Sequence, residues 1–242
     1  MRVVQNVLSN FKTHITASSL LGVAYSAGAY GLFDVPLPTC ILAGGLCAVS
    51  GMLPDLDSDS SRPLRESVAF AAAVVPMMLI GRLELFQLSR EYMVLIGAAV
   101  YLLIRFAGAE LLRRYTVHRG MFHSLPAVVI VGEVAFLLAS GPLELRLYKA
   151  GGVSLGYLSH LVLDELASLH WYRGRLRAKR SFGTALKLFS RHWWPNGSAY
   201  LKLALFTFLA FKEPAWTKQF FEKQIHAPIH RTAVEVRDRW FR

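Results

Sequence analysis

Val117-His-Arg-Gly-Met-Phe-His-Ser-Leu125 stands between two long apolar runs. The run before it closes on Glu110-Leu-Leu-Arg-Arg114, and the run after it opens on Leu125-Pro-Ala-Val-Val-Ile-Val131. Polar residues this dense at the mouth of apolar segments are costly to place near lipid unless they bind something. Their chemical partners lie elsewhere in the chain, in the carboxylates of Pro54-Asp-Leu-Asp57 and in the pair His160 and Asp164.

Composition points to a membrane. Of 242 residues, 54% are hydrophobic and only 18% charged, with a mean hydropathy of +0.37. A soluble domain carries more charge. A soluble all-helical core is the alternative. The net charge of +11 fits positive loops against anionic headgroups. No nucleic-acid motif accompanies it, so no nucleic-acid partner is expected. Cys40 and Cys47 both fall in one apolar run, which implies neither a disulfide framework nor a thiolate zinc site. The polar opening, Met1 to Thr13, lacks the pattern of a signal peptide.

Apolar runs recur at Ala17–Phe33, Leu37–Leu53, Ser67–Gly81, Tyr92–Leu112, Leu125–Ser140 and Gly151–Leu169, with a shorter one at Ala199–Phe211. Their repetition predicts an all-α, polytopic membrane bundle of about six or seven helices, since a spanning helix takes roughly 20 apolar residues. Ser18, Ser19, Gly22, Ala24, Ser26, Ala27 and Gly28 in the first run, and Ala43, Gly44, Gly45 and Ala48 in the second, would let two helices approach closely. With the amino terminus inside, Pro54–Glu66, Arg113–Ser124 and His170–Ser198 become inner loops, and the opposite loops, near Asp34, Arg82–Glu91 and Gly141–Lys149, are short and mixed. The last inner loop holds the densest cationic cluster. Residues 1–198 then form the bundle, and 199–242 a short apolar segment with a basic amphipathic tail. Ala199–Phe211 is expected to be re-entrant or interfacial, with that tail on the cytoplasmic face.

Several residue groups could do chemistry. His118 and His123 bracket Arg119-Gly120, and Ser124 is placed to cap the following helix. Asp55, Asp57 and Asp59 alternate in a short loop. Such a loop either offers oxygen ligands to a cation or forms a turn with helix-capping carboxylates. His160 and Asp164 are four apart inside an apolar run, hence on one helix face. They either line a functional site or share a private hydrogen bond. His14 precedes the first run and could join them. Together His14, Asp55, Asp57, His118, His123, His160 and Asp164 exceed the needs of one tetrahedral site. Either two metal ions share them, or some support the ligands and move protons. Zinc is the default divalent ion, with manganese or iron close behind. Arg119 is the natural clamp for a phosphate or carboxylate.

Thr13-His14, Gly51-Met-Leu-Pro-Asp-Leu-Asp57, His118-Arg-Gly-Met-Phe-His-Ser124 and Gly156-Tyr-Leu-Ser-His-Leu-Val-Leu-Asp164 occur in that order. Together they resemble the YdjM-type, LexA-regulated family of membrane-bound metal-dependent hydrolases. The resemblance implies a metal-site role for His14, Asp55, Asp57, His118, His123, His160 and Asp164. It departs from the family's pattern at Met121-Phe122, where a threonine is usual, and after Asp164, where Glu-Leu-Ala-Ser-Leu-His replaces a Thr- and Gly-rich continuation.

The favoured function is metal-assisted hydrolysis at the cytoplasmic face of the inner (plasma) membrane. Asp57 and Asp164 would handle protons, and Arg119 would hold an anionic small-molecule or lipid substrate, plausible as a phosphoester. A metal-independent lipid phosphatase would need an arginine within Gly152–Ser159, which has none. The alternatives are a non-catalytic membrane scaffold and a divalent-cation transporter. The sequence leaves the oligomeric state open.

Overall fold

The computed structural model describes residues 11–57, 61–108, 121–172, 175–178, 183, 185–190, 193–214 and 216; at 11, 56–57, 61–67 and 170–178 it describes the backbone alone. Seven α-helices are present among the described residues: α1 (Phe11–Phe33), α2 (Leu37–Ser50), α3 (Ser61–Leu83), α4 (Arg90–Leu102), α5 (Leu125–Leu138), α6 (Leu143–Ser168) and α7 (Trp193–Phe211). A 3-10 turn, Leu53–Asp57, follows α2, and a π-helical segment, Leu103–Gly108, continues α4. The expected all-α bundle is what forms. Among the described residues it adds a short antiparallel hairpin, β1 (Leu169–Tyr172) with β2 (Arg175–Ala178), which pairs Leu169 with Ala178.

Successive helices alternate in direction, which gathers the start of α1, the end of α2, the start of α5 and the end of α6 at one pole. Helix α1 packs on α2, both pack on α6, and α5 lies between α6 and α7. The α1–α2 seam is set by small residues. A Cβ on Gly44 would lie 2.9 Å from the Gly22 carbonyl oxygen, while Ser26 donates to the Cys40 carbonyl at 2.7 Å. Gly28 and Gly45, also in those runs, face open space and have no such role. Cys40 and Cys47 are free and buried at this seam.

Three helical stretches among the described residues are long and apolar enough to cross a bilayer: Leu37–Asp55, Val68–Phe86 and Arg90–Gly108. Leu125–Leu138 is a shorter apolar helix. No residue of α4 is buried, and Val94 is 70% exposed. A soluble protein does not leave a whole apolar helix facing water, so this surface belongs against lipid.

Two elements differ from the sequence reading. Helix α6 begins at Leu143, so Glu144, Arg146 and Lys149 lie within it rather than in a loop. Arg146 is buried there because its guanidinium donates to the Phe136 carbonyl at 3.0 Å, covers the Phe136 ring at 4.1 Å and pairs with Glu213 at 3.1 Å. Helix α7 begins at Trp193 and runs unbroken for 19 residues, about 28 Å, with Pro195 tolerated in its first turn. It ends at the pole opposite the histidines. There Glu213 accepts from Arg82 at 2.7 and 3.1 Å as well as from Arg146. This segment is therefore one continuous helix packed on α5, and the chain leaves it at the far pole. The residues beyond Trp216 lie outside the described ones.

Candidate metal centre

Five of the expected residues converge at the histidine pole. Asp164, near the end of α6, is the hub. Its Oδ1 lies 3.3 Å from His14 Nε2, and its Oδ2 lies 3.4 Å from both His123 Nε2 and His160 Nε2. Asp55, in the 3-10 turn, places Oδ1 3.5 Å from His160 Nε2. The His14 and His160 rings stack at 3.9 Å, and His123 meets His160 edge-on at 5.6 Å.

The tautomer of His160 follows from its far side. Nδ1 lies 2.7 Å from the Gly51 carbonyl oxygen, which can only accept, so Nδ1 carries the proton and donates. A neutral His160 therefore turns the bare lone pair of Nε2 toward two carboxylates. That atom is buried and has no hydrogen-bond partner among the described residues. A cation relieves such an arrangement. The separations agree: two ligands about 2.0–2.1 Å from one zinc at the tetrahedral angle lie about 3.3–3.4 Å apart. Two overlapping ligand groups share His160, namely His14–His160–Asp164 and Asp55–His123–His160. With neutral imidazoles the five side chains carry two negative charges, which suits a divalent ion. The residues present fit a metal.

The five described side chains differ in access to solvent. His14 and His160 are 3% and 0% exposed, whereas His123, Asp55 and Asp164 are 22–27% exposed and form the mouth of the centre among the described residues.

Residues around the ligands explain the rest of the motifs. A Cβ on Gly156 would collide with the Cys47 carbonyl oxygen and the Ser50 hydroxyl, so only glycine lets α6 approach the end of α2. His160 follows one turn later and meets Gly51. Gly51 is itself tight, since a Cβ there would stand 2.5 Å from Ser18 Oγ, and Ser18 donates to the Ala48 carbonyl at 2.7 Å. Tyr157 is buried and donates to the Phe122 carbonyl at 2.6 Å, which fixes the peptide before His123. Ser124 caps α5 as expected, accepting from the Ala127 amide at 3.4 Å, and its hydroxyl donates to the Met121 carbonyl. Glu165, noted in the sequence only as a departure from the family's pattern, accepts from the Gly183 and Ala185 amides, and the Leu125 amide donates to the Lys187 carbonyl at 3.1 Å. These bonds draw the segment after the hairpin toward the same pole. The adjacency of Glu165 to Asp164 was the available signal for it.

Asp57 lies in the 3-10 turn, but its side chain is outside the described part of the structure, as are Asp59, His118 and Arg119.

A helical bundle with lipid-facing apolar helices and a histidine–aspartate centre at one pole defines an integral membrane protein with a candidate metal site. The chain belongs to the YdjM inner membrane protein family, whose model matches residues 10–211. It is thus an inner membrane protein. No curated protein and no solved structure matches it.

Proposed function

We propose that the chain is a membrane-embedded, metal-dependent hydrolase acting at the cytoplasmic face on an anionic phosphoester or lipid substrate. The observation that carries this reading is the unpartnered Nε2 of His160, held by the Gly51 carbonyl and turned into a cluster of carboxylates and imidazoles. His14, Asp55, His123, His160 and Asp164 would hold the ion, with His118 and Asp57 assigned to the same centre by the sequence pattern. A divalent ion there, zinc by default, supplies Lewis-acid polarisation and lowers the pKa of water. Asp164 turns both carboxylate oxygens into the centre and is reachable from the mouth, so it is the group to accept a proton from water. Asp57 is assigned a second proton-handling role. Arg119, on the segment leading into His123, is assigned to hold the anionic group. The cationic inner loops support the cytoplasmic orientation. A transporter reading is less well supported, because the donors sit at one pole rather than near the midplane.

The test is metal content of detergent-purified protein, wild type beside His160→Ala and Asp164→Ala, followed by phosphoester and lipid hydrolysis by the metal-loaded wild type. Stoichiometric metal lost in both variants, with monodisperse folded protein retained, is expected. A wild type that stays empty after incubation with zinc, manganese or iron refutes the metal site. A loaded protein that hydrolyses no phosphoester or lipid refutes the enzyme reading and leaves a metal-binding scaffold.

A further inference from the structure

Helix α6 does not end at the metal centre. It runs on from His160 to Ser168, about 12 Å further along its axis, and its capping residue, Leu169, is already the first of the hairpin β1–β2. Asp55, 3.5 Å from His160, closes the apolar stretch Leu37–Asp55. The hairpin thus begins about one headgroup layer beyond the level where that stretch ends.

The ladder sorts the hairpin's residues into two faces. Partners directly opposite in an antiparallel pair share a face, and alternate residues take opposite faces. Leu169 with Ala178 and Trp171 with Leu176 make one face, which is apolar throughout. His170 with Arg177 and Tyr172 with Arg175 make the other. All four residues of that second face are of types that donate hydrogen bonds, and the two arginines are permanently cationic. Arg175 and Arg177 stand two residues apart on one strand, about 7 Å, a spacing suited to two arginines sharing one phosphate. No carboxylate of the neighbouring chain balances them. From Leu166 to Lys212 the sequence has no Asp or Glu, while His170–Ser198 carries seven Lys and Arg. The carboxylates whose side chains are described at this pole are engaged already: Asp55 and Asp164 face histidines, and Glu165 accepts from the Gly183 and Ala185 amides. Like charges gathered on one face weaken a ladder, so an anion is what completes it.

We propose that the face formed by His170, Tyr172, Arg175 and Arg177 binds the phosphate of an anionic phospholipid headgroup. Position chooses the lipid over other anions. The hairpin continues a membrane helix, begins at headgroup level and pairs its donor face with an apolar one. It also carries Trp171 and Tyr172, the two residue types enriched at that interface. Anionic headgroups attract Lys and Arg held near the bilayer surface. A nucleic acid would have no use for the apolar face. This assignment is independent of the hydrolase reading.

The experiment is native mass spectrometry of the full chain in detergent, titrated separately with phosphatidylglycerol, phosphatidylcholine of the same acyl chains, inorganic phosphate and a single-stranded oligonucleotide. Wild type is expected to retain phosphatidylglycerol at least about tenfold more tightly than phosphatidylcholine. The double variant Arg175→Gln/Arg177→Gln is expected to lose that preference. Lys179→Gln/Arg180→Gln removes the same charge just past the ladder and is expected to keep it. Equal losses in the two double variants overturn the proposal and leave a diffuse attraction by the whole loop. Equal retention of the two lipids by wild type overturns it as well. Displacement of the lipid by equimolar inorganic phosphate overturns it in favour of a free anion, and tighter binding of the oligonucleotide overturns it in favour of nucleic acid. Unchanged melting temperature shows that each variant is folded. If the arginine variant fails that check, phosphatidylglycerol with a photoreactive headgroup decides on wild type: crosslinks within Leu169–Ala178 support the assignment, and crosslinks confined to other segments overturn it.

Discussion

Gly156→Ala should weaken metal binding at the candidate centre without touching any of the residues assigned to hold the ion. The new methyl group would fall on the Cys47 carbonyl oxygen and the Ser50 hydroxyl, and a real Cβ does not come within 3.0 Å of such atoms. Helix α6 must therefore back away from α2 by about 1 Å, since packed interiors yield by shifting whole elements rather than compressing. His160 rides on that helix one turn further along. A displacement of about 1 Å stretches its bond to the Gly51 carbonyl from 2.7 Å beyond the roughly 3.2 Å limit for an N–H···O hydrogen bond. The Nε2 atom is then no longer held toward Asp55 and Asp164. Loss of an interaction that orients a metal ligand weakens affinity about 10–100-fold, equivalent to about 1.4–2.7 kcal/mol. Overpacking itself should cost about 1–3 kcal/mol of stability. Gly45→Ala is the matched control, because a Cβ there meets nothing within 4 Å and alanine gains helix propensity of about 1 kcal/mol. Metal titration and thermal melting of the detergent-solubilised variants read both effects. If Gly156→Ala binds metal like wild type and melts like Gly45→Ala, the close approach of α6 to α2 does not hold His160 in place.

Other consequences are equally open to measurement. Tyr157→Phe removes the bond to the Phe122 carbonyl and should lower stability by about 1 kcal/mol, with weaker metal binding through His123; unchanged metal affinity would make Tyr157 a packing residue only. At the far pole, burial raises the pKa of Glu213, but hydrogen bonds from Arg82 and Arg146 outweigh it and hold the carboxyl below its ordinary range. A depressed carboxylate stabilises the fold above the unfolded value, about 4.3, and that stabilisation fades as pH falls through the lower folded value. Glu213→Gln should therefore be less stable than wild type at pH 7, by about 1.5–3 kcal/mol, and the gap should narrow progressively as pH falls below the unfolded value of about 4.3. A gap that persists in acid would show that Glu213 acts through packing rather than charge.

The histidine pole was legible because each of its motifs breaks an apolar run with residues that have no reason to be there. His160 and Asp164 fall on one face by spacing alone, and Ser124 caps α5 as its position before Leu125-Pro126 implies. The supporting residues were quoted with the motifs, yet their roles were not visible. Gly156 matters because of a carbonyl on another helix, and Tyr157 because of a peptide 35 residues away. Arg146 and Lys149 read as loop residues because a charge ordinarily ends an apolar run. What keeps Arg146 inside α6 is Glu213, which no local pattern announces. The same long-range pairing shows that α7 is a complete helix. Glu133 was passed over as one polar residue in a strongly apolar segment, and its partner Thr207 lies on a different helix.

The assembly of the centre from α1, the turn after α2, the approach to α5 and the end of α6 has a temporal side. His14 and Asp164 are separated by about 150 residues of chain. At synthesis rates of about 5–20 residues per second, His14 would emerge roughly 8–30 s before its carboxylate partner is made. Through that interval His14 and Asp55 are inserted with no hub to face. A metal ion captured by the finished pole would then act as a late latch, joining the first helix to the sixth after both are in the bilayer. Starving cells of metal should accordingly leave a nascent bundle whose first helix pair is loosely held, visible as protease sensitivity that added metal removes.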